Sequence, residues 1–334
     1  MHTSPFLSEP AVNSGPLEPS HVPVLKETVV DLLVTDHGGV YVDCTVGEGG
    51  HAEAILERLE GAGVLIGLDV DAEAVETARR RMADFGDRAK ILQADFSTIK
   101  EILNRVGITC VNGVLFDLGL SSLQLDSAGR GFSYRLDGPL DMRMDLSQSK
   151  TARDVVNWYT RNELTRIFRD YGEEKHAARI SRAVIRAREG HPIESTSQLA
   201  AIVQSAIPRW NPQKTLSRIF QAIRIEVNDE LYRLKMGLRE AIEILGPKGR
   251  IAAIAYHSLE DRVVKSIFSQ KSKGCICPPD LPVCACGRKK ELRLITKGAL
   301  RPAEEEMQEN IRARSARLRV AEKVQSQNFG ALEL

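Results

Sequence analysis

Val40-Tyr-Val-Asp43-Cys-Thr-Val-Gly47-Glu-Gly49-Gly50-His51 is the stretch on which the fold turns. Val40–Thr45 is a short, largely apolar run that ends in three glycines within four residues, and it reads as a buried strand feeding a tight turn. From His51 to Leu59 the apolar residues Ala52, Ile55, Leu56 and Leu59 recur at helical spacing. Strand, glycine turn and helix in that order open a βαβ unit.

The same alternation continues outward. Strands are predicted at Val64–Asp69, Ile91–Phe96 and Val111–Leu118, with helices at Ala72–Ala83 and Ile99–Val106. The last strand is almost wholly apolar, as a strand buried on both faces should be. Such a series predicts an α/β fold with a doubly wound parallel sheet. From Ser127 to Leu231 the pattern changes to helices, at Ala152–Tyr159, Asn162–Asp170, Glu173–Glu189 and Ser197–Ala206. The sheet pattern returns at Gly249–His257, with further strands at Glu291–Thr296 and Arg317–Ala321. An apolar stripe from Leu216 through Phe220, Ile223, Val227, Leu231 and Leu238 to Leu245 predicts one long helix bridging the two parts. The expected organisation is a disordered tail over 1–20, a sheet domain made of 21–126 and 232–325, an inserted helical domain over 127–231, and a tail over 326–334.

The glycine turn reads Gly-x-Gly-Gly, not the Gly-x-Gly-x-x-Gly that cradles a pyrophosphate. Asp43 ends the first strand and suits a cationic ligand group. Asp69 ends the second strand, about 20 residues past the turn, where an acidic residue bonds ribose hydroxyls; Asp71 suits the cap of the next helix. Gln93, Asp95 and Phe96 end the third strand and would flank an adenine ring. All fall at carboxyl ends of strands, where open α/β sheets bind ligands. Together they favour S-adenosylmethionine, whose sulfonium and amino groups are cationic, over a nicotinamide cofactor. Asp117 ends the fourth strand at the mouth of that site, and His257 ends the fifth.

Several ordered blocks carry more than this. They are VGEGGH (46–51), LFDLGLSSLQLD (115–126), RGFS (130–133), DGPLDMRMD (137–145), YGEE (171–174), YHSLEDR (256–262) and Asn310-x-Arg-Ala-Arg-Ser-Ala316. In this order they resemble the family of 16S ribosomal RNA (cytosine-N4)-methyltransferases, known as RsmH or MraW, from about His21 to Glu322. At 216–222 the chain reads Leu-Ser-Arg-Ile-Phe-Gln-Ala, where the family often has Thr-Arg-Thr-Phe-Gln-Ala, so Ile219 stands in place of a threonine. The resemblance implies a class I, Rossmann-like methyltransferase with a helical insertion. It also implies cofactor contacts at Gly49, Gly50, His51, Asp69, Phe96, Asp117 and Gln124, and a cytidine of 16S rRNA in the small ribosomal subunit as substrate. Asp117 is the candidate acceptor for the target amine, with His257 as the second catalytic candidate.

The 334 residues are 43% hydrophobic and 27% charged, with a formal net charge of +1, so any RNA-binding surface must be local. The insertion carries 17 Lys and Arg against 13 Asp and Glu. Lys175, Arg179, Arg182 and Arg186 recur on one helix face, opposite Ala177, Ile180 and Val184, and are expected to meet phosphates. Arg130, Arg135 and Arg143 lie closer to Asp117 and are expected to guide the target nucleotide; Arg312, Arg314 and Arg317 form a further basic group. No apolar run approaches the roughly 20 residues of a membrane span, and the N-terminus lacks a basic segment followed by an apolar one. A cytoplasmic protein with no membrane or DNA partner is therefore expected, and a homodimer is compatible with the sequence.

Cys44 and Cys110 sit among apolar residues and are expected to be buried thiols. Cys275, Cys277, Cys284 and Cys286 form one cluster. Four thiolates can make a tetrahedral zinc site, but the C-x-C spacing is less typical than C-x₂-C, so the primary expectation is a reduced loop without metal. Three other functions fit the sequence less well. A DNA amino-methyltransferase would carry a Pro-Pro-Tyr-type motif after the fourth strand, where this chain has Leu118-Gly119-Leu120. A non-catalytic RNA-binding factor would not need Asp117, and an oxidoreductase would need the other glycine spacing.

Overall fold

A computed structural model of the chain describes residues 23–208, 212–275, 277, 286 and 289–325. Both expected tails and Cys284 lie outside the described residues.

The order of elements in the first half is as the sequence predicts, with one helix added in front and the third strand ending at Gln93, so that Asp95 caps a short 3-10 turn begun by Phe96. Helix α1 (Lys26–Leu33) precedes β1 (Val40–Asp43), α2 (Gly50–Arg58), β2 (Val64–Asp69), α3 (Ala72–Arg81), β3 (Ala89–Gln93), α4 (Ile99–Arg105) and β4 (Val111–Asp117). A short helix α5 (Ser122–Asp126) leads into helices α6 (Ala152–Trp158), α7 (Arg161–Asp170), α8 (Ala177–Gly190), α9 (Thr196–Ser205), α10 (Pro212–Asn228) and α11 (Glu230–Ile244). Then come β5 (Leu245–Ala255), α12 (Ser258–Ser272), β6 (Leu292–Leu294), α13 (Glu304–Glu309) and β7 (Arg317–Lys323).

The seven strands form one sheet in the order β3-β2-β1-β4-β5-β7-β6. The first five run parallel, while β7 is antiparallel to both β5 and β6. Side chains alternate between the faces: Tyr41 and Leu65 pack with α1 and α2, whereas Val42 and Ile66 pack with α4 and α11. A third core, running from Phe132 to Val227, belongs to the helices between β4 and β5. Three of those helices open on capping boxes, Thr151 with Asp154, Thr160 with Glu163 and Ser195 with Gln198, which fix their starts locally. Ile219 is fully buried in that helical core.

Four sequence expectations need correction. The long bridging helix is two helices, broken where Asp229 adopts a left-handed backbone (φ 50°); the apolar stripe survives the break because both halves pack inward. The helix expected from Glu173 starts at Ala177, so Lys175 precedes it. Cys44 is buried, but Cys110 is exposed, since it lies one residue before β4, outside the amino end of that central strand. Helix α12 follows β5 directly, beyond the elements read from the sequence. Among the described residues, no helix is long and apolar enough to cross a membrane.

Candidate active site

Strand order reverses between β1 and β4, and there the helices after them diverge and leave a crevice. A cleft of about 800 Å³ opens at this place. Asp43, Gly47, Gly50, His51, Asp69, Phe96, Asp117, Gln124, Tyr256 and His257 line it from the sheet side. Phe132–Leu136 and four residues of α10, Ser217, Phe220, Gln221 and Arg224, line it from the helical side, and Asn310–Arg312 and Ser315 complete it.

The turn after β1 needs its glycines. Gly49 caps α2 with φ 87°, a conformation that side chains resist. At Gly50 a Cβ would lie 2.4 Å from a ring carbon of Pro23. With the turn so drawn in, the Gly47 N–H donates to Asp69 Oδ2 at 3.0 Å, and the Asp71 N–H donates to Asp69 Oδ1 at 3.0 Å. Asp69 thus ties the ends of β1 and β2 together.

Asp117 is held from two sides. Its N–H donates to Thr45 Oγ1 at 2.7 Å, and the Tyr256 hydroxyl donates to its Oδ1 at 2.8 Å. His51 Nε2 stands 3.4 Å from Oδ2, an ion-pair distance without a formed hydrogen bond. Both ring nitrogens of His51 are buried without a hydrogen-bond partner among the described residues. Burial opposes a charge on His51, but Asp117 and then Asp43 outweigh it and hold its pKa above the ordinary value.

The cleft floor is short of positive charge. Burial pushes Asp43 up to about 7, against the pull of His51 and of the Thr45 N–H, with Asp117 and Asp69 adding to the rise. Burial likewise pushes Asp69 up to about 6, opposed by the N–H groups of Asp71 and Gly47. Tyr256 is held well above its ordinary value by burial and by the Asp117 carboxylate. Carboxylates that resist ionisation for want of a counter-charge, over glycines that let a ligand approach the backbone, fit the cationic end of S-adenosylmethionine.

Other predicted residues serve the frame. Gln124 is buried; its amide donates to Asp71 Oδ2 at 2.9 Å, and its carbonyl accepts the Ser121 N–H. Asp71 also caps α3 through the Glu73 N–H, as the sequence predicts. Arg130 is not a solvent-facing RNA contact: its guanidinium is buried, 2.8 Å from Asp71, and donates to the carbonyls of Arg143 and Met144. Arg143 pairs with Asp141 at 2.8 Å and donates to the Leu146 and Gln148 carbonyls, so it braces its own loop. Arg135 lines the cleft and lies over the Tyr134 ring. Phe96 packs edge-on against Phe116, with centroids 5.4 Å apart. Arg179, Arg182 and Arg186 are exposed on α8, away from the cleft, and Lys175 is exposed just before it.

His257 caps α12: its Nδ1 accepts the Glu260 N–H, and its Nε2 lies 3.0 Å from Glu260 Oε1 but is too poorly aligned to bond. Arg224, paired through two contacts with Glu230, lies beside this group at the cleft. Sequence reasoning passed over Tyr256, Thr45 and Arg224. Tyr256 had a signal in the strand-end position next to His257; Thr45 and Arg224 act through contacts 72 and 6 residues away that no local pattern marks.

The MraW methylase family matches residues 18–324. A ribosomal RNA small subunit methyltransferase H from Carboxydothermus hydrogenoformans is 50% identical over 310 residues, covering 92% of this chain and 99% of that protein. One of the same name from Caldicellulosiruptor bescii is 48% identical over 305 residues, covering 91% and 99%. Among solved structures, an rRNA methylase from Streptococcus thermophilus gives a TM-score of 0.41 at 10% identity over 90% of this chain and 94% of that one, a likeness too loose to argue from. Matched over nearly its whole length, the chain belongs to the MraW methylase family and is an S-adenosylmethionine-dependent methyltransferase with a class I, Rossmann-like fold.

Proposed function

We propose that the protein methylates the exocyclic N4 amine of a cytidine in the decoding centre of 16S rRNA, within the small ribosomal subunit in the cytoplasm. The observation that carries this reading is Asp117, a carboxylate fixed by Tyr256 at the bottom of a cleft wide enough for a nucleoside beside a cofactor. The names of the relatives support ribosomal RNA of the small subunit as the substrate.

An exocyclic amine is a poor nucleophile because its lone pair is delocalised into the ring. Bound S-adenosylmethionine supplies an electrophilic methyl group on a sulfonium leaving group. Asp43 and Asp69 would hold its cationic and ribose portions, and Phe96 would flank its adenine. Fixing the reactants in line contributes roughly 7–11 kcal/mol towards the barrier. Asp117 accepts an N–H of the amine, which localises the lone pair and stabilises the positive charge growing on nitrogen. It then takes the proton that the methylated amine sheds. Each carboxylate oxygen accepts two hydrogen bonds, so the Tyr256 contact leaves room for the substrate. His257 acts in this reading by positioning: it fixes the start of α12 next to Tyr256.

The target base must leave its stack to reach Asp117. Arg135 at the cleft wall meets the nucleotide, and Lys175, Arg179, Arg182 and Arg186 meet the phosphates of the surrounding RNA. Labelled methyl transfer to small subunits from cells lacking the protein, followed by nucleoside analysis, tests the reading. N4-methylcytidine is the expected product; label in any other nucleoside would refute it.

A further inference from the structure

We propose that Cys275, Cys277 and Cys286 bind a zinc ion at a structural site separate from the cleft. Their three sulfur atoms all lie within 4.8 Å of one another. Sγ of Cys275 and Sγ of Cys286 are 3.7 Å apart. Two thiolates on one tetrahedral zinc, each bound at about 2.3 Å, stand about 3.8 Å from each other. A disulfide would need about 2.05 Å. The Cys277 N–H is directed at Cys275 Sγ at 3.4 Å, and such amide donors support a metal-bound sulfur.

Packing does not explain the convergence. The three cysteines are exposed or half-buried and belong to none of the three apolar cores. They lie between the end of α12 and the start of β6, and Cys286 is eleven residues from Cys275. Holding these segments together at the surface costs chain entropy, which the binding free energy of a metal–thiolate set would offset. Thiolates select zinc over magnesium or calcium. None of the three lines the cleft, so the ion's role is to pin this segment and not to act on the substrate. The fourth tetrahedral position falls to a ligand outside these three.

The test uses the full-length protein, purified from zinc-replete cells without metal-affinity steps. Elemental analysis should find about one zinc per chain, falling to background in Cys275→Ser/Cys286→Ser. The metal-stripped protein, titrated with cobalt(II) under reducing conditions, should develop a sulfur-to-cobalt charge-transfer band that one equivalent of zinc abolishes. That band supports the site even if the purified protein has lost its zinc. Absence of both zinc and the band would overturn the proposal. So would zinc that stays undiminished in the double variant, since the metal would then sit elsewhere, with Glu230, His257 and Glu260 the group to examine.

Discussion

Tyr256 links two events at the residue scale, the anchoring of Asp117 and the ending of β5. Its hydroxyl gives Asp117 a single orientation at no charge. A hydrogen bond to a charged group is worth roughly 1.5–3 kcal/mol. Tyr256→Phe should therefore reduce kcat about tenfold to a hundredfold, with cofactor affinity little changed; steady-state kinetics with both substrates varied would reveal a KM effect instead. Asp43 and Asp69 make a second prediction. Their folded pKa values lie above the unfolded value near 3.8, so the stability they contribute is full below about pH 4 and is lost as pH rises through about 6 and 7. The cationic group needs Asp43 ionised, so its binding must expel that proton below about pH 7. Calorimetry of S-adenosylmethionine binding in buffers of different ionisation enthalpy should show close to one proton released at pH 5.5 and almost none at pH 8. Equal release at both would show that Asp43 does not meet the cation.

Arg130 decides how elements are joined. Its buried pair with Asp71 fastens the cap of α3 to the loop after α5, and Gln124 shares the same carboxylate. Breaking a buried pair from one side typically destabilises by about 3–5 kcal/mol. Arg130→Ala should thus lower the melting temperature by many degrees, whereas an RNA-contact arginine would alter affinity alone; thermal unfolding without RNA separates the two. The sequence could show that an arginine lay near Asp117, but its direction is set by Asp71, 59 residues earlier, and by no spacing rule. The break between α10 and α11 was hidden for a related reason. Asp229 tolerates a left-handed backbone better than most residues, but the apolar stripe running on from α10 into α11 masks the break.

For the whole molecule, the parallel part of the sheet was legible because β1, β2 and β4 are short apolar runs ended by Asp, and the helices that follow β1 and β2 have their own apolar stripes. The site was legible to the same depth, since Asp43, Asp69 and Asp117 are strand ends. What lay beyond reading was the third dimension: Thr45 under Asp117, Tyr256 across from it, and α10 bringing Arg224 to the cleft. The arginine face of α8 can be tested at this scale. Arg179→Gln/Arg182→Gln/Arg186→Gln should weaken binding to small subunits and flatten its salt dependence by about three ions released. Equilibrium binding at several salt concentrations would measure this, and an unaltered slope would move the RNA surface elsewhere.

Asp117 carries the account. Asp117→Asn keeps the shape and removes the charge that supports a cationic transition state. Single-turnover methyl transfer to unmethylated small subunits, at saturating S-adenosylmethionine, isolates that effect from cofactor binding. A folded Asp117→Asn protein should react slower by on the order of 10²–10³. A rate near that of the unaltered protein would contradict the claim that Asp117 accepts the target amine.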